Sequence, residues 1–144
     1  MQLRDILANK GHTIHSIRPS ASLEEAIQTL VRNNCGSLLV CDEADCRRMV
    51  GILTERDVLR ACAEHRGPLN TVEVADVMTI EVITGTPNDS LEETMGLMTE
   101  NRIRHLPVLE DEQLVGMISI GDLVKAHYDF LSLENHYLKS YLHG

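Results

Sequence analysis

Two short stretches of the chain combine a glycine, a hydroxyl residue and an aspartate at the same spacing. Both Gly51 to Asp57 and Gly116 to Asp122 follow the pattern Gly-h-h-[Thr/Ser]-x-x-Asp, in which h is an apolar residue. The apolar part predicts a strand, and the polar part predicts the first turn of a helix, where free N–H groups and the helix dipole attract anions. A hydroxyl and a carboxylate at such a turn suit the binding of ribose hydroxyls or phosphate.

The same residues also have a purely structural interpretation. Thr54 stands where a helix N-cap is expected, and Asp57 follows three residues later, at the position of the capping-box acid. Ser119 and Asp122 repeat this arrangement. A repeated fold also repeats its caps, so the second occurrence does not decide between a binding site and a cap.

Composition and the remaining motifs favour a binding module over an enzyme. The chain has no Gly-x-Ser-x-Gly, no His-Glu-x-x-His and no Walker-type phosphate loop, so no catalytic residue is expected. A net charge of −9 argues against a nucleic-acid surface, which needs clustered Lys and Arg. Binding of single-stranded nucleic acid is further weakened because the four aromatic residues all follow position 127, beyond the repeats.

The spacing of the cysteines does not indicate a metal site, and the apolar segments do not indicate a membrane-spanning helix. The cysteines lack the C-x-x-C spacing of zinc and redox motifs and are expected to be small buried thiols in a reducing compartment. They are Cys35, Cys41, Cys46 and Cys62. The apolar runs are far shorter than the ~20 residues of a membrane helix, and the first residues lack the apolar region of a signal peptide. The sequence therefore predicts a soluble cytoplasmic protein.

The elements that position the two motifs occur twice. A shift of 68 positions aligns residues 13–40 with residues 81–108 and gives eight identities. Beyond a longer acidic loop in the first copy, a shift of 65 aligns residues 50–57 with residues 115–122. Identical residues recur in the same order, so the chain consists of two copies of one unit.

Each copy has the pattern of a β-α-β-β-α unit in the α+β class. An extended segment (residues 13–17 or 81–84) precedes a helix that begins at Ser22 or Ser90, and a two-stranded hairpin and a second helix follow. The predicted domains are 1–66 and 73–144, joined by a linker at 67–72, and the second domain includes a C-terminal helix. Two such small units are expected to pack against each other with pseudo-twofold symmetry.

A cluster of cationic residues distinguishes the second copy. Arg102, Arg104 and His105 lie at the start of its first hairpin strand, and Arg102 is expected to be a solvated edge residue. Adjacent strand residues point to opposite faces, so only one of Arg104 and His105 is expected on a given side. The corresponding positions in the first copy are Gly36 and Ser37, so the two halves are chemically unequal.

These residues together resemble the tandem cystathionine-β-synthase (CBS) domain module. The resemblance rests on Gly51–Val58, Gly116–Leu123 and Arg104–Val108 and covers essentially the whole chain; Met98–Val108 is similar to the stand-alone two-domain members. It implies a regulatory sensor that binds an adenosyl ligand in two clefts between the repeats, commonly as a flat homodimer. Such ligands include AMP, ADP, ATP, NAD and S-adenosylmethionine.

The resemblance also implies which residues contact the ligand. Asp57 and Asp122 would accept hydrogen bonds from ribose hydroxyls, and Arg104 or His105 would reach the phosphate. Each cleft would combine the aspartate of one copy with the extended segment of the other, and the Asp122 cleft would be the tighter if Arg104 and His105 point into it. The expected ligand-binding residues are Ile14, Cys35, Gly36, Ser37, Thr54, Arg56, Asp57, Val82, Ile83, Ile103, Arg104, His105, Pro107, Ser119, Gly121 and Asp122.

Apolar helix faces beyond those needed for two small cores predict a homodimer. The tail, residues 132–142, carries one amphipathic stripe and is expected either to cover its own domain or to stabilise the dimer. Two alternative functions stay open. The first is a ligand-free dimeric interaction module that regulates a metabolic or redox enzyme, and the second is an enzyme with an unrecognised site.

Overall fold

Each repeat folds into an antiparallel hairpin flanked by helices, and the α+β class is confirmed. The structure, a computed structural model, describes residues 1–11 and 13–143. The first half contains α1 (Leu3–Lys10), β1 (Ser16–Ile17), α2 (Leu23–Asn33), β2 (Ser37–Cys41), β3 (Met49–Thr54) and α3 (Glu55–Ala63). The second half contains α4 (Val74–Val77), α5 (Leu91–Glu100), β4 (His105–Glu110), β5 (Gln113–Ser119) and α6 (Ile120–His143).

The two sheets differ in their first strand. In the first repeat, β1 runs parallel to β2, and β2 runs antiparallel to β3. In the second repeat, residues 81–84 form no strand, and the pairing is reduced to one parallel bridge between Gly85 and Val108 beside the β4–β5 hairpin. A Cβ at Gly85 would lie only 2.8 Å from Leu106 Cδ2. Gly85 takes the place of Ile17, so this segment lacks the side chain that anchors β1.

Local signals account for where the two long internal helices begin. Ser22 Oγ accepts a hydrogen bond from the backbone N–H of Glu25 at 3.1 Å. Ser90 Oγ accepts the equivalent bond from Glu93, also at 3.1 Å. The acidic side chains of the first turn lie at the positive end of each helix dipole. The helix starts predicted at Ser22 and Ser90 are therefore confirmed.

The segment before each repeat packs on the core of the other repeat. Helix α1 places Leu3, Ile6 and Leu7 in the core of the second repeat, whereas Val74 of α4 lies in the core of the first. Helix α1 is absent from the sequence-based prediction, although its three core residues have helical spacing. This exchange joins the two repeats through their cores, and the domain boundaries given above stay a prediction.

A further apolar cluster joins the two repeats. Leu39 and Ile52 are buried, and Ile14 and Val82 pack against this cluster. The segments that were expected to line the two ligand clefts therefore meet at one shared core. Removing apolar surface from water is favourable, so this cluster helps to hold the two repeats together.

The chain ends in one continuous helix that extends away from the two cores. Helix α6 covers 24 residues, so the second helix of the repeat and the predicted C-terminal helix are a single element. Every residue from Tyr128 to Leu142 is exposed, with Leu133 at 55% and Tyr141 at 86%. The expectation that the tail covers its own domain is therefore wrong. Its role in a dimer stays a prediction.

Two of the four cysteines depart from expectation. Cys41 is buried and Cys35 is half-buried, but Cys46 and Cys62 are exposed. The prediction of buried thiols is therefore wrong for Cys46 and Cys62. Within the part of the chain that the structure describes, no group of three His, Cys, Asp or Glu side chains could hold a metal, and no helix has the length and apolarity to cross a membrane.

Candidate functional site

A cleft of about 530 Å³ opens between the two repeats. Its walls come from the end of β3 and the start of α3, from the segment 79–83, and from residues 101–105 just before and at the start of β4. The first wall belongs to the first repeat, the second is the segment that leads into the second repeat, and the third lies within the second repeat. A cleft of this size is in the range of small-molecule binding sites.

Asp57 lines this cleft although only 3% of its side chain is exposed. Its Oδ2 accepts hydrogen bonds from the Thr54 backbone N–H at 2.9 Å and from the Thr54 hydroxyl at 3.1 Å. The Thr79 hydroxyl donates to Asp57 Oδ1 at 3.0 Å, and an Arg60 guanidinium nitrogen lies 3.8 Å from the same oxygen. Donors from both halves of the chain therefore hold the carboxylate in place.

Both motif aspartates lie in the first turn of a helix and help to cap it. Thr54 and Asp57 form a capping box at the start of α3. At the start of α6, the Ser119 N–H donates to Asp122 Oδ2 at 2.8 Å, and the Asp122 N–H donates to Ser119 Oγ at 3.0 Å. The structural interpretation is confirmed. It does not exclude ligand binding, because a carboxylate has about four acceptor positions.

The cationic cluster belongs to the Asp57 cleft. Arg102, Arg104 and His105 all line it, together with Arg56 and Arg60. The expectation that only one of Arg104 and His105 faces a given side is wrong, because β4 begins at His105 and Arg104 precedes the alternating part of the strand. Which of the two clefts binds more tightly stays a prediction.

The position of His105 depends on a glycine in the first repeat. A Cβ at Gly36 would lie 3.1 Å from His105 Cε1, so the missing side chain gives the imidazole room. Partial burial and the nearby charges of Lys10 and Arg104 lower the pKa of His105, and they outweigh the carboxylates of Glu55 and Asp122, which raise it. These influences favour the neutral form of the imidazole.

The Asp122 carboxylate is engaged by the first helix of the chain. The Lys10 ammonium lies 2.6 Å from Asp122 Oδ2 and donates a second hydrogen bond to the Met117 carbonyl, also at 2.6 Å. Partial burial raises the pKa of Asp122, but the hydrogen bonds from Lys10 and Ser119 outweigh it, so the pKa lies below its ordinary value. Asp122 is thus a charged, paired group.

Nine of the sixteen predicted ligand residues line the Asp57 cleft. They are Gly36, Thr54, Arg56, Asp57, Val82, Ile83, Ile103, Arg104 and His105. The cleft does not include the other seven: Ile14, Cys35, Ser37, Pro107, Ser119, Gly121 and Asp122. The expected combination of Asp57 with the extended segment of the other copy is what the structure shows.

Sequence reasoning missed three residues that act on the aspartates. Thr79 and Lys10 come from the segments that precede the repeats, where no shared motif marks them. Arg60 lies one helical turn after Asp57. Its i, i+3 spacing from an aspartate is the signal that could have identified it.

The paired β-α-β-β-α units and the polar cleft between them define a tandem ligand-binding module. The chain belongs to the CBS domain family, whose model matches residues 3–64 and 74–129. The family predicted from the motifs is therefore confirmed, and so is its duplication within this chain.

Similar proteins match along most of their length. The CBS domain-containing protein CBSX3, mitochondrial, of Arabidopsis thaliana is 33% identical over 148 residues, which cover 99% of this chain and 72% of that protein. The structure of the CBS-domain containing protein ATU1752 from Agrobacterium tumefaciens matches with a TM-score of 0.82 at 35% identity, over 88% of this chain and 99% of that one. The chain thus resembles proteins made largely of one CBS pair.

Two similar structures contain compounds with an adenosyl group. The CBS domain protein PAE2072 from Pyrobaculum aerophilum, complexed with AMP, has a TM-score of 0.75 at 26% identity, over 85% of this chain and 89% of that one. The CBS domain pair of MJ0100, in complex with 5′-methylthioadenosine and S-adenosyl-L-methionine, has a TM-score of 0.76 at 25% identity, over 90% of this chain and 97% of that one.

Proposed function

We propose that this protein is a non-catalytic regulatory module that binds an adenosine nucleotide in the cleft between its repeats. The observation that carries the proposal is the presence of one enclosed carboxylate, Asp57, and a row of cationic side chains in a single cleft of about 530 Å³. The adenosyl ligands of two related CBS pairs support the same class of ligand.

The lining of the cleft matches the three parts of a nucleotide. Asp57 is a strong acceptor for the ribose hydroxyls, and the Thr79 hydroxyl beside it can rotate to donate or accept. Ile52, Val82 and Ile103 supply apolar surface for adenine. We therefore propose that the ribose binds at the carboxylate and that the base lies against the segment that leads into the second repeat.

The arginines of the cleft favour a phosphorylated ligand. Arg56, Arg60, Arg102 and Arg104 line it in a chain whose net charge is −9, and guanidinium groups bind phosphate through charge-assisted hydrogen bonds. AMP, ADP, ATP and NAD all supply phosphate. S-adenosylmethionine carries a cationic sulfonium instead, so we propose that it binds more weakly than the nucleotides.

Calorimetric titration of AMP and adenosine tests this assignment. Arg104→Ala should weaken AMP binding about tenfold or more, because a charge-assisted hydrogen bond is worth roughly 1.5–3 kcal/mol, and should leave adenosine binding unchanged. Arg32→Ala, at the exposed end of α2, is the matched control. Equal losses for AMP and adenosine, or no binding of either to the wild-type protein, would contradict the proposal.

A second candidate function is a ligand-free homodimeric interaction module that regulates a metabolic or redox enzyme. The exposed apolar side chains of α6 favour it, since Phe130, Leu133 and Leu138 are each about half exposed. A ligand at ~100 times its dissociation constant stabilises the folded state by about 2.7 kcal/mol. An adenylate-dependent rise in melting temperature therefore separates the sensor from the ligand-free module.

A further inference from the structure

The two aspartates that repeat along the chain are engaged by chemically different groups. Asp57 accepts a hydrogen bond from the neutral hydroxyl of Thr79 at 3.0 Å, and the nearest cation, the Arg60 guanidinium, lies 3.8 Å from the same oxygen, beyond hydrogen-bond distance. Asp122 receives the ammonium of Lys10 at 2.6 Å. Lys10 is held in this position by its second hydrogen bond, to the Met117 carbonyl at 2.6 Å.

The length of helix α1 explains this difference. The Leu3 N–H donates to the Asp89 carbonyl at 3.0 Å, and the Val74 N–H donates to the Ala21 carbonyl at 2.9 Å. The two acceptors occupy equivalent positions of the repeat, so the helices begin at equivalent points. Helix α1 then runs for eight residues and α4 for four. The added turn carries Lys10 to the aspartate of the second repeat.

The two contacts place different demands on an incoming ribose. A threonine hydroxyl can rotate and both donate and accept, so it can share its carboxylate with a ligand hydroxyl. An ammonium only donates, and its bond to a carboxylate is charge-assisted and stronger than that of a neutral hydroxyl. The Lys10 and Asp122 side chains are 32% and 25% exposed, so water screens the pair only in part.

We propose that Lys10 is an internal occupant of the Asp122 carboxylate that makes the two clefts unequal. The Asp57 cleft binds the nucleotide, and the Asp122 side binds a second one only when Lys10 is displaced. The inference rests on the proposed function, because it concerns the same class of ligand. It assigns to Lys10 the role of determining how many nucleotides one chain binds.

The full-length chain carrying Lys10→Met tests the inference by calorimetric titration with AMP. Methionine keeps most of the aliphatic length and removes the charge. We expect the variant to show one AMP-binding event that is not detected in the wild-type protein. The affinity of the Asp122 cleft for AMP should be at least about tenfold higher in the variant than in the wild-type protein. Adding Asp122→Asn should abolish the gained event. Lys139→Met, on the exposed part of α6, should gain nothing.

The outcomes separate this inference from the proposed function. If Lys10→Met binds no more AMP than the wild-type protein, or binds it less tightly, the inference is overturned, and weaker binding would make Lys10 a ligand contact. If the wild-type protein binds no AMP while Lys10→Met binds one equivalent, the assignment of the Asp57 cleft fails and the inference stands. Should Lys10→Met melt early, Lys10→Gln provides the same charge removal with a polar side chain and must show the same gain.

Discussion

The hydroxyl of Thr79 donates a hydrogen bond of 3.0 Å to the carboxylate of Asp57. This bond connects the segment that leads into the second repeat with the first turn of α3 in the first repeat. The carboxylate is 3% exposed, so this bond is made away from bulk water. It joins two walls of the cleft between the repeats through a single acceptor. The cleft and the contact between the repeats therefore depend on the same carboxylate.

Replacing Thr79 by valine should lower the free energy of unfolding by about 1–3 kcal/mol, because an enclosed charged acceptor loses a donor. Thr79→Ser keeps the hydroxyl and should restore most of the loss. Thr99→Val, at an exposed position of α5, controls for the change of side chain. Urea unfolding curves measure all three variants, and a Thr79→Val variant as stable as Thr99→Val would show that the bond contributes nothing.

Gly51 permits the close approach of the two repeats at their shared edge. A Cβ at Gly51 would lie 2.7 Å from Met78 Sδ and 2.8 Å from the Thr79 carbonyl oxygen, and the carbonyl belongs to a backbone bridge with Ile52. Gly51→Ala should therefore cost about 1–3 kcal/mol.

Gly96 provides the matched control for this substitution. A Cβ there meets no atom within 4 Å, and the residue lies inside α5, so Gly96→Ala should raise stability by about 0.5–1 kcal/mol. Thermal unfolding should move the two melting temperatures in opposite directions. A shift of the same sign for both variants would argue against steric crowding at Gly51.

The lowered pKa of His105 predicts a pH dependence of stability. Its folded-state pKa lies below the ordinary value of 6.5 because of burial and neighbouring cations. As the pH falls below 6.5, the unfolded chain binds a proton more readily than the folded chain, so the free energy of unfolding decreases. Urea titrations at pH 7.5 and 5.5 should show this decrease, and His105→Gln should reduce it.

His136→Gln, which alters an exposed position of α6, should leave the decrease between pH 7.5 and 5.5 unchanged. If His105→Gln and His136→Gln show the same dependence as the wild-type protein, the acid-sensitive groups lie elsewhere.

Phosphate bound beside His105 would also favour its protonated form. AMP binding should therefore be accompanied by proton uptake, which calorimetry detects in buffers of different ionisation enthalpy.

The exposed end of α6 predicts that assembly depends on the tail. Leu131, Leu138 and Leu142 recur at heptad-compatible spacing along one side of the helix, and all three are exposed in the single chain. Deleting residues 132–144 should convert a dimer into a monomer in sedimentation equilibrium. The two cores should stay folded, because residues 132–142, whose side chains the structure describes, contribute nothing to either core.

Two single substitutions refine this test without shortening the chain. Leu138→Asp places a charge on the apolar side of the helix and should dissociate the dimer. Ser140→Asp adds the same charge on the opposite, polar side and should not. A wild-type protein that sediments as a monomer, with or without AMP, would refute the role of the tail in assembly.

The sequence by itself determined the repeats, the helix starts at Ser22 and Ser90, and the two Gly-h-h-[Thr/Ser]-x-x-Asp turns. These features are local, since a cap and its partner N–H lie three residues apart, and the same short-range geometry is repeated in both copies. Nine of the sixteen predicted ligand residues also share one cleft, because the family motifs that identify them lie at the strand ends that border it.

Only the tertiary structure decided which groups engage the aspartates and where the tail lies. Lys10 and Asp122 are 112 positions apart, and Thr79 and Asp57 are 22 apart. Their contacts arise because the segment before each repeat packs on the other, and no periodic pattern encodes that exchange. The exposure of α6 was also decided by the tertiary structure, because an amphipathic stripe predicts a buried face without specifying the surface that covers it.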